Sequence, residues 1–275
     1  MKPPRRHRNI TVRRLVMDAY QFIRAQSFLV DMAGRQFRPG FELAEIDLTY
    51  KCNLRCFNCN RSCRQAPSDM EMPVSMIAAF IRDSMERKIQ WKRIRLLGGE
   101  PTLHSNIFEI LDLLLRYRAD HNPQVRLVLC TNYFGRAVHR VLEKLPPGII
   151  IKSTLKHSLE NFFKPFNVAP VDRPFNRFSD YSCGCRIIAE CGLGVTPLGY
   201  YMCAIAGGID RIFQYGLGRK SLPEKSDPMT DQMSAFCRLC GHFGFQWPVK
   251  TEKISPTWQQ AYRNYRKTGS RTISF

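Results

Sequence analysis

The chain has 275 residues, 44% hydrophobic and 24% charged, with a net charge of +19. This composition excludes wholesale disorder and suits one large α/β domain, or a domain with a small appendage. No run approaches the length of a membrane-spanning helix, since even Ile110–Leu115 is broken by Asp112, and the basic head MKPPRRHRNITVRR lacks the apolar segment of a secretory signal, so a cytoplasmic protein is expected.

Residues 10–36 read as one helix, with Leu15, Val16, Ala19, Phe22, Ile23, Gln26 and Val30 at three- and four-residue steps and Gly34 and Pro39–Gly40 ending it. Its apolar face is expected to pack on the body, with an acidic membrane surface as the alternative. Phe41–Thr49 suits a buried strand, and residues 75–88 a helix with Ile77, Phe80, Ile81 and Met85 on one face. Arg93–Leu97 alternates as a strand does. Ser105 is read as the cap of a helix whose Ile107, Ile110, Leu111, Leu114 and Leu115 face inward. Val125–Cys130 is a third strand. Val138, Val141, Leu142 and Leu145 mark the next helix, Pro146–Pro147–Gly148 stops it, and Ile149–Ile151 opens a fourth strand. Repeated βα units predict a parallel sheet, open or closed into a barrel, with chemistry at the carboxyl ends of its strands. Beyond residue 157 the pattern fades. Phe166–Pro170 reads as one more strand, Leu193–Cys203 as a hairpin turning around Pro197–Gly199, and residues 228–237 as a short helix presenting Cys237.

Eleven cysteines, an odd number in a long chain, argue against a disulfide framework and for ligation of metal or iron–sulfur. TYKCNLRCFNC, residues 49–59, spaces Cys52, Cys56 and Cys59 as C-x3-C-x2-C directly after the first strand. Three thiolates can hold three irons of a 4Fe–4S cluster and leave the fourth open; alone, the spacing also fits zinc with a further ligand. Gly98–Gly99–Glu100 follows at the end of the second strand. Its glycines let backbone approach a ligand and its carboxylate can accept from an ammonium. By itself it is a strand-end turn.

Together the two motifs resemble the radical S-adenosylmethionine (SAM) superfamily. The resemblance implies a partial (β/α) TIM-like barrel over residues 41–182. It implies that SAM chelates the open iron through its amino and carboxylate groups, and that Gly98, Gly99 and Glu100 hold the amino group. Asn132, where many members carry TNG but this chain has Tyr133, and Ser153 would lie near SAM at the ends of the third and fourth strands. Both residues serve equally well as turn formers. Cys63 receives no ligand role, and His104 is read as stabilising a turn.

Cys185, Cys203, Cys237 and Cys240 form C-x17-C-x33-C-x2-C. This resembles the twitch module, a shortened SPASM extension in which a hairpin and helix carry one auxiliary iron–sulfur cluster, here a 4Fe–4S cluster over residues 183–248. The usual G-x4-C is G-x3-C here, in Gly199–Cys203. Cys183 and Cys191 compete with Cys185, and zinc competes with iron–sulfur. The resemblance implies hydrogen-atom abstraction, with a net oxidation of a small metabolite or a ribosomally made peptide, and an electron donor such as flavodoxin or ferredoxin.

The charge gathers at the ends. Residues 1–38, containing the basic helix of 1–40, hold nine Lys/Arg against two Asp, and the basic tail of 249–275 six against one Glu. An anionic partner or membrane surface is the implied contact. A non-enzymatic alternative is a basic nucleic-acid binder stabilised by zinc or a cluster, in which Tyr262 and Tyr265 stack on bases between Arg263, Arg266 and Lys267. It leaves Gly98–Glu100 unexplained.

Overall fold

The computed structural model describes residues 12–153, 164–244, 246–247 and 249–268, with side chains from residue 16 onward. Strands β1 (Leu43–Thr49), β2 (Arg93–Gly98), β3 (Arg126–Thr131) and β4 (Ile150–Ser153) alternate with helices α3 (Val74–Glu86), α4 (Ile107–Asp120) and α5 (Arg136–Leu142). They follow α1 (Val12–Arg24) and α2 (Ser27–Ala33). The C-terminal part holds α6 (Arg186–Cys191), β5 (Leu193–Thr196), β6 (Gly199–Tyr201), α7 (Ala204–Phe213), α8 (Thr230–Cys237) and α9 (Pro256–Thr268).

The six strands form one open sheet in the order β4-β3-β2-β1-β5-β6. All neighbours are parallel except the β5–β6 hairpin. The fold is thus α/β, a partial barrel whose sheet does not close. Strand alternation explains its two faces. Ala44, Ile46, Leu48, Ile94, Leu96, Leu127 and Leu129 share one core with Ile77 and Phe80 of α3 and Ile110, Leu111 and Leu114 of α4. Glu45, Asp47, Arg93 and Arg95 fall on the other face. The predicted hairpin forms, and in addition β5 pairs in parallel with β1, so the cysteine-rich part continues the barrel sheet.

Four expectations need correction. The N-terminal helix is two, broken where Gln26 adopts an extended conformation and bridges to Ser179. Asn106, not Ser105, precedes α4, and the Ser105 amide donates instead to Glu71. Residues 166–170 form no strand. Their backbone groups bond the Gly241 amide, the Ser255 side chain and amide, the Gln246 and Asn176 side chains and the turn amides of Asp172 and Arg173, single contacts from irregular chain and side chains that cannot build a ladder. Finally, Tyr262 and Tyr265 are buried on α9 among Ser62, Asn167 and Arg211, so their rings are not available to stack on bases.

Candidate active site

The carboxyl end of β1 runs into the cysteine loop, and the end of β2 packs directly on it. Gly98 has φ +137°, and a Cβ there would stand 2.3 Å from the Thr49 carbonyl oxygen. A Cβ on Gly99 would stand 2.2 Å from the Lys51 oxygen and 3.0 Å from Cys52 Cβ. The gap is filled by hydrogen bonds: Gly99 N–H donates to Thr49 O (2.7 Å) and Glu100 N–H to Lys51 O (2.9 Å). Both glycines are required by this close approach.

Glu100 is fully buried. Its Oε1 accepts from Thr102 N (3.3 Å), Thr102 Oγ1 (2.8 Å) and Thr131 Oγ1 (2.9 Å), and its Oε2 from Asn132 N (2.7 Å). Burial pushes its carboxyl above the ordinary range and these donors pull it back. The carboxylate therefore ties the end of β2 to the end of β3. Asn132 Nδ2 donates to Asn53 Oδ1 (2.8 Å) and lies 4.0 Å from Cys52 Sγ, while Asn53 Nδ2 donates to Phe134 O (2.6 Å). Cys52, Gly98, Gly99, Glu100 and Asn132 are thus brought together, and Ser153 sits one strand further, in register with Thr131. His104 accepts from Asn106 N–H and bonds Met72 O through its other ring nitrogen, closing the turn as expected.

Within the loop Cys56 is buried and Cys52 and Cys59 half-buried. Burial pushes the Cys52 thiol up to about 11. Cys63 is buried against Cys59, and this contact and burial hold its thiol well above the usual range. Two buried arginines that sequence reasoning passed over anchor the loop. Arg61 makes a bidentate pair with Asp47 of β1 (3.0 and 3.1 Å), with Glu45 3.7 Å away. Burial raises the Asp47 carboxyl to about 6 against the pull of Arg61. Arg211 of α7 donates to Ala66 O (3.0 Å) and Arg61 O (2.9 Å) and stacks 4.5 Å over Tyr50. The available signal was Glu45 and Asp47 in the middle of FELAEIDLT, since a charge on a buried strand demands a buried partner. Asp47→Ala is expected to cost about 3 kcal/mol of stability by leaving Arg61 buried without its main partner. Urea unfolding checks this, and a loss within about 0.5 kcal/mol, the range of ordinary surface changes, would contradict it.

The second cysteine group meets in one cavity. Cys185 precedes α6, Cys203 precedes α7, Cys237 ends α8 and Cys240 follows it. All four are buried and line a mainly apolar cavity with Ile188, Met202, Ile205 and Phe236. Burial pushes Cys185 up to about 11 and the other three higher, their mutual proximity adding to the shift. The competitors do not line the cavity and have partners of their own. Cys183 Sγ accepts from Gln36 N (3.4 Å) and faces Arg24 O (3.7 Å), and Cys191 lies against Glu45. Gly207 of α7 packs on Thr196, where an added Cβ would meet Cγ2 at 2.5 Å, and Gly208 faces Asn60 O of the first cysteine loop. The small residues of α7 thus seat it between both cysteine groups.

The donor types are those the implied groups need: three thiols beside a glycine cradle, and four thiols around a small apolar cavity. Among the described residues, no three His, Cys, Asp or Glu side chains converge on a single metal ion. A cluster contributes its own irons and sulfides and spans wider gaps between thiols.

A model of the Radical SAM superfamily matches residues 46–197. The probable GTP 3′,8-cyclase of Pyrococcus horikoshii is 35% identical over 117 residues, 42% of this chain and 33% of that protein. The GTP 3′,8-cyclase of Corynebacterium glutamicum is 31% identical over 109 residues, 39% and 28% of the two chains. The match therefore spans about a third of the length of these curated relatives. Among solved structures, BtrN in complex with AdoMet and 2-DOIA aligns with a TM-score of 0.41 at 13% identity, over 75% of this chain and 89% of that one. Streptococcus suis SuiB bound to precursor peptide SuiA aligns with a TM-score of 0.31 at 15% identity, over 54% and 31%.

Proposed function

The chain belongs to the radical SAM superfamily, whose members use a 4Fe–4S cluster and SAM, and on that footing we propose that it is a hydrogen-abstracting enzyme with two clusters. Cys52, Cys56 and Cys59 hold the first, and Gly98, Gly99, Glu100, Asn132 and Ser153 surround SAM. Cys185, Cys203, Cys237 and Cys240 hold an auxiliary 4Fe–4S cluster. The lacing of Gly98–Glu100 onto Thr49–Cys52 carries this reading, because it fixes a thiol, a glycine cradle and Asn132 in one place.

The cluster that Cys52, Cys56 and Cys59 would hold would supply, once reduced, the electron for reductive cleavage of SAM and so the means of taking a hydrogen atom from the substrate. The chain's own work is positional. Glu100 holds the ends of β2 and β3 together, the glycines let SAM approach backbone, and Arg61 and Arg211 keep the cysteine loop on the sheet. Cys185, Cys203, Cys237 and Cys240 would hold the auxiliary cluster, which would supply an electron acceptor close to the barrel, so a net oxidation is the outcome this reading favours. The substrate class is a small metabolite or a ribosomally made peptide, and the reductant is of flavodoxin or ferredoxin type.

Anaerobic reconstitution with iron and sulfide, then SAM and dithionite, tests this. The protein is expected to release 5′-deoxyadenosine, and Cys56→Ala to release none. A cluster-replete protein that leaves SAM intact would sink the reading. Deuterium carried from a labelled compound into 5′-deoxyadenosine identifies the substrate, with GTP, for which the curated relatives are named, as the first nucleotide to try.

A further inference from the structure

The two cysteine groups come from distant parts of the chain, yet one short segment touches both. It is made of residues 251–255 and the α9 turns that follow, and it grips the middle of each C-x2-C pair. Asn58, between Cys56 and Cys59, is 1% exposed. Its Nδ2 donates to Thr251 O (3.0 Å) and its Oδ1 accepts from Lys253 N–H (3.0 Å). Leu239, between Cys237 and Cys240, accepts through its carbonyl oxygen from Trp258 Nε1 (2.7 Å).

The first cysteine loop depends on this grip. Asn58 and Ser62 have φ +50° and +54°. Residues with a side chain hold this left-handed region only where their surroundings fix them. Both supports come from the same C-terminal segment: the backbone of Thr251 and Lys253 holds Asn58, and Tyr262 OH lies 2.8 Å from Ser62 Oγ. Tyr262 OH also accepts from Asn167 Nδ2 (3.3 Å), and Tyr265 OH from Arg211 (3.0 Å), the arginine that bonds Arg61 O and Ala66 O. Trp258 and Tyr262 stand one turn apart on α9, with ring centres 5.2 Å apart, and Trp258 packs on Phe166 and Phe213 at 4.9 Å each. The side chain that ends at Leu239 and the one that ends at Ser62 thus belong to one turn of helix. Its start is pinned where Thr257 donates to Asp172 through both its amide (3.1 Å) and its hydroxyl (2.6 Å).

On the reading that both thiol groups carry clusters, we propose that residues 251–265 are a brace that fixes the two clusters relative to each other, with Asn58, Trp258 and Tyr262 as positioning residues. Groups that bond the ligands of a metal centre from outside orient those ligands. Here one segment does so for both centres, so a disturbance at either cysteine pair is passed along α9 to the other. Burial alone does not call for these bonds: Phe166 and Phe213 would pack as well on a phenylalanine at position 258, which has no N–H for Leu239 O.

Anaerobically reconstituted holoenzyme tests the proposal, with SAM as the probe and the electron paramagnetic resonance signal of the reduced first cluster as the readout. Trp258→Phe keeps a ring on Phe166 and Phe213 and drops the bond to Leu239 O, at the second group. SAM binding, followed through the change it makes in that signal, is nevertheless expected to weaken about threefold, the scale of one hydrogen bond, with the iron content retained. Tyr262→Phe drops only a hydroxyl, at the first group. In a Cys56→Ala background, where the second cluster remains alone, it is expected to speed iron loss to a ferrous chelator by about threefold. If Trp258→Phe melts earlier than the unaltered protein, the Tyr262→Phe measurement decides. Effects confined to the nearer cluster in each variant would make these residues local supports and overturn the proposal. An unaltered protein that holds about four irons instead of eight contradicts the two-cluster reading itself and removes the proposal with it.

Discussion

The Cys203→Ala, Cys237→Ala double variant is expected to keep about half of the iron and sulfide of the unaltered protein, near four of each instead of eight. The four thiols of the second group meet in one buried cavity and no other cysteine lines it. Removing two leaves only Cys185 and Cys240 on the cavity, while Cys183 and Cys191 each have partners of their own in Gln36, Arg24 and Glu45. The C-terminal part should lose stability together with the metal, since ligation energy is folding energy in a cysteine-rich module. The first cluster should survive, because the bidentate Asp47–Arg61 pair holds its loop to β1 independently of the cavity. Release of 5′-deoxyadenosine without substrate is therefore expected to persist while substrate oxidation is lost. Full iron content in the double variant would exclude the auxiliary cluster. Loss of about one zinc with iron unchanged would assign the cavity to zinc instead.

Much of this site was legible because the chemistry sits in short, contiguous motifs. C-x3-C-x2-C and Gly98–Glu100 each follow a strand of clear periodicity, and a parallel sheet places such strand ends side by side. Cys185, Cys203, Cys237 and Cys240 were also legible as a set, since their spacing brackets a hairpin and ends on a helix. The anchors were harder to see. Arg61 and Arg211 look in sequence like ordinary surface cations, and only the fold carries them onto Asp47 and Tyr50. The orientation of α1 was misleading for a related reason. Its pattern of three- and four-residue steps is genuine, but the residue of α1 that the body buries is Asp18, whose partner Lys164 lies 146 residues away. Tyr262 and Tyr265 show the same limit: a basic-aromatic alternation cannot reveal that the tyrosines face inward to Ser62 and Arg211. Periodicity says that a helix has two faces, and tertiary contacts decide which one is wet.

Gly99→Ala is expected to lower 5′-deoxyadenosine formation by about a hundredfold, the scale of a misplacement near 1 Å at a reacting centre. The added methyl would lie 2.2 Å from the Lys51 oxygen and 3.0 Å from Cys52 Cβ. Neither neighbour is a flexible side-chain end, so the β2 turn and the cysteine loop must separate. Separation stretches the Gly99–Thr49 and Glu100–Lys51 hydrogen bonds and draws Cys52 away from Asn132. Glu100 resists, because three of its four donor contacts come from Thr102 and Thr131, so the displacement falls on the cysteine loop and not on β3. SAM affinity, read by equilibrium binding to the reconstituted protein, should fall with turnover, while the iron at the Cys185–Cys240 cavity should remain. Gly40→Ala is the matched control, since a Cβ there meets nothing within 4 Å. If Gly99→Ala turned SAM over as fast as Gly40→Ala, the close approach of these two loops would not be what positions SAM, and Gly98–Glu100 would revert to a strand-end turn.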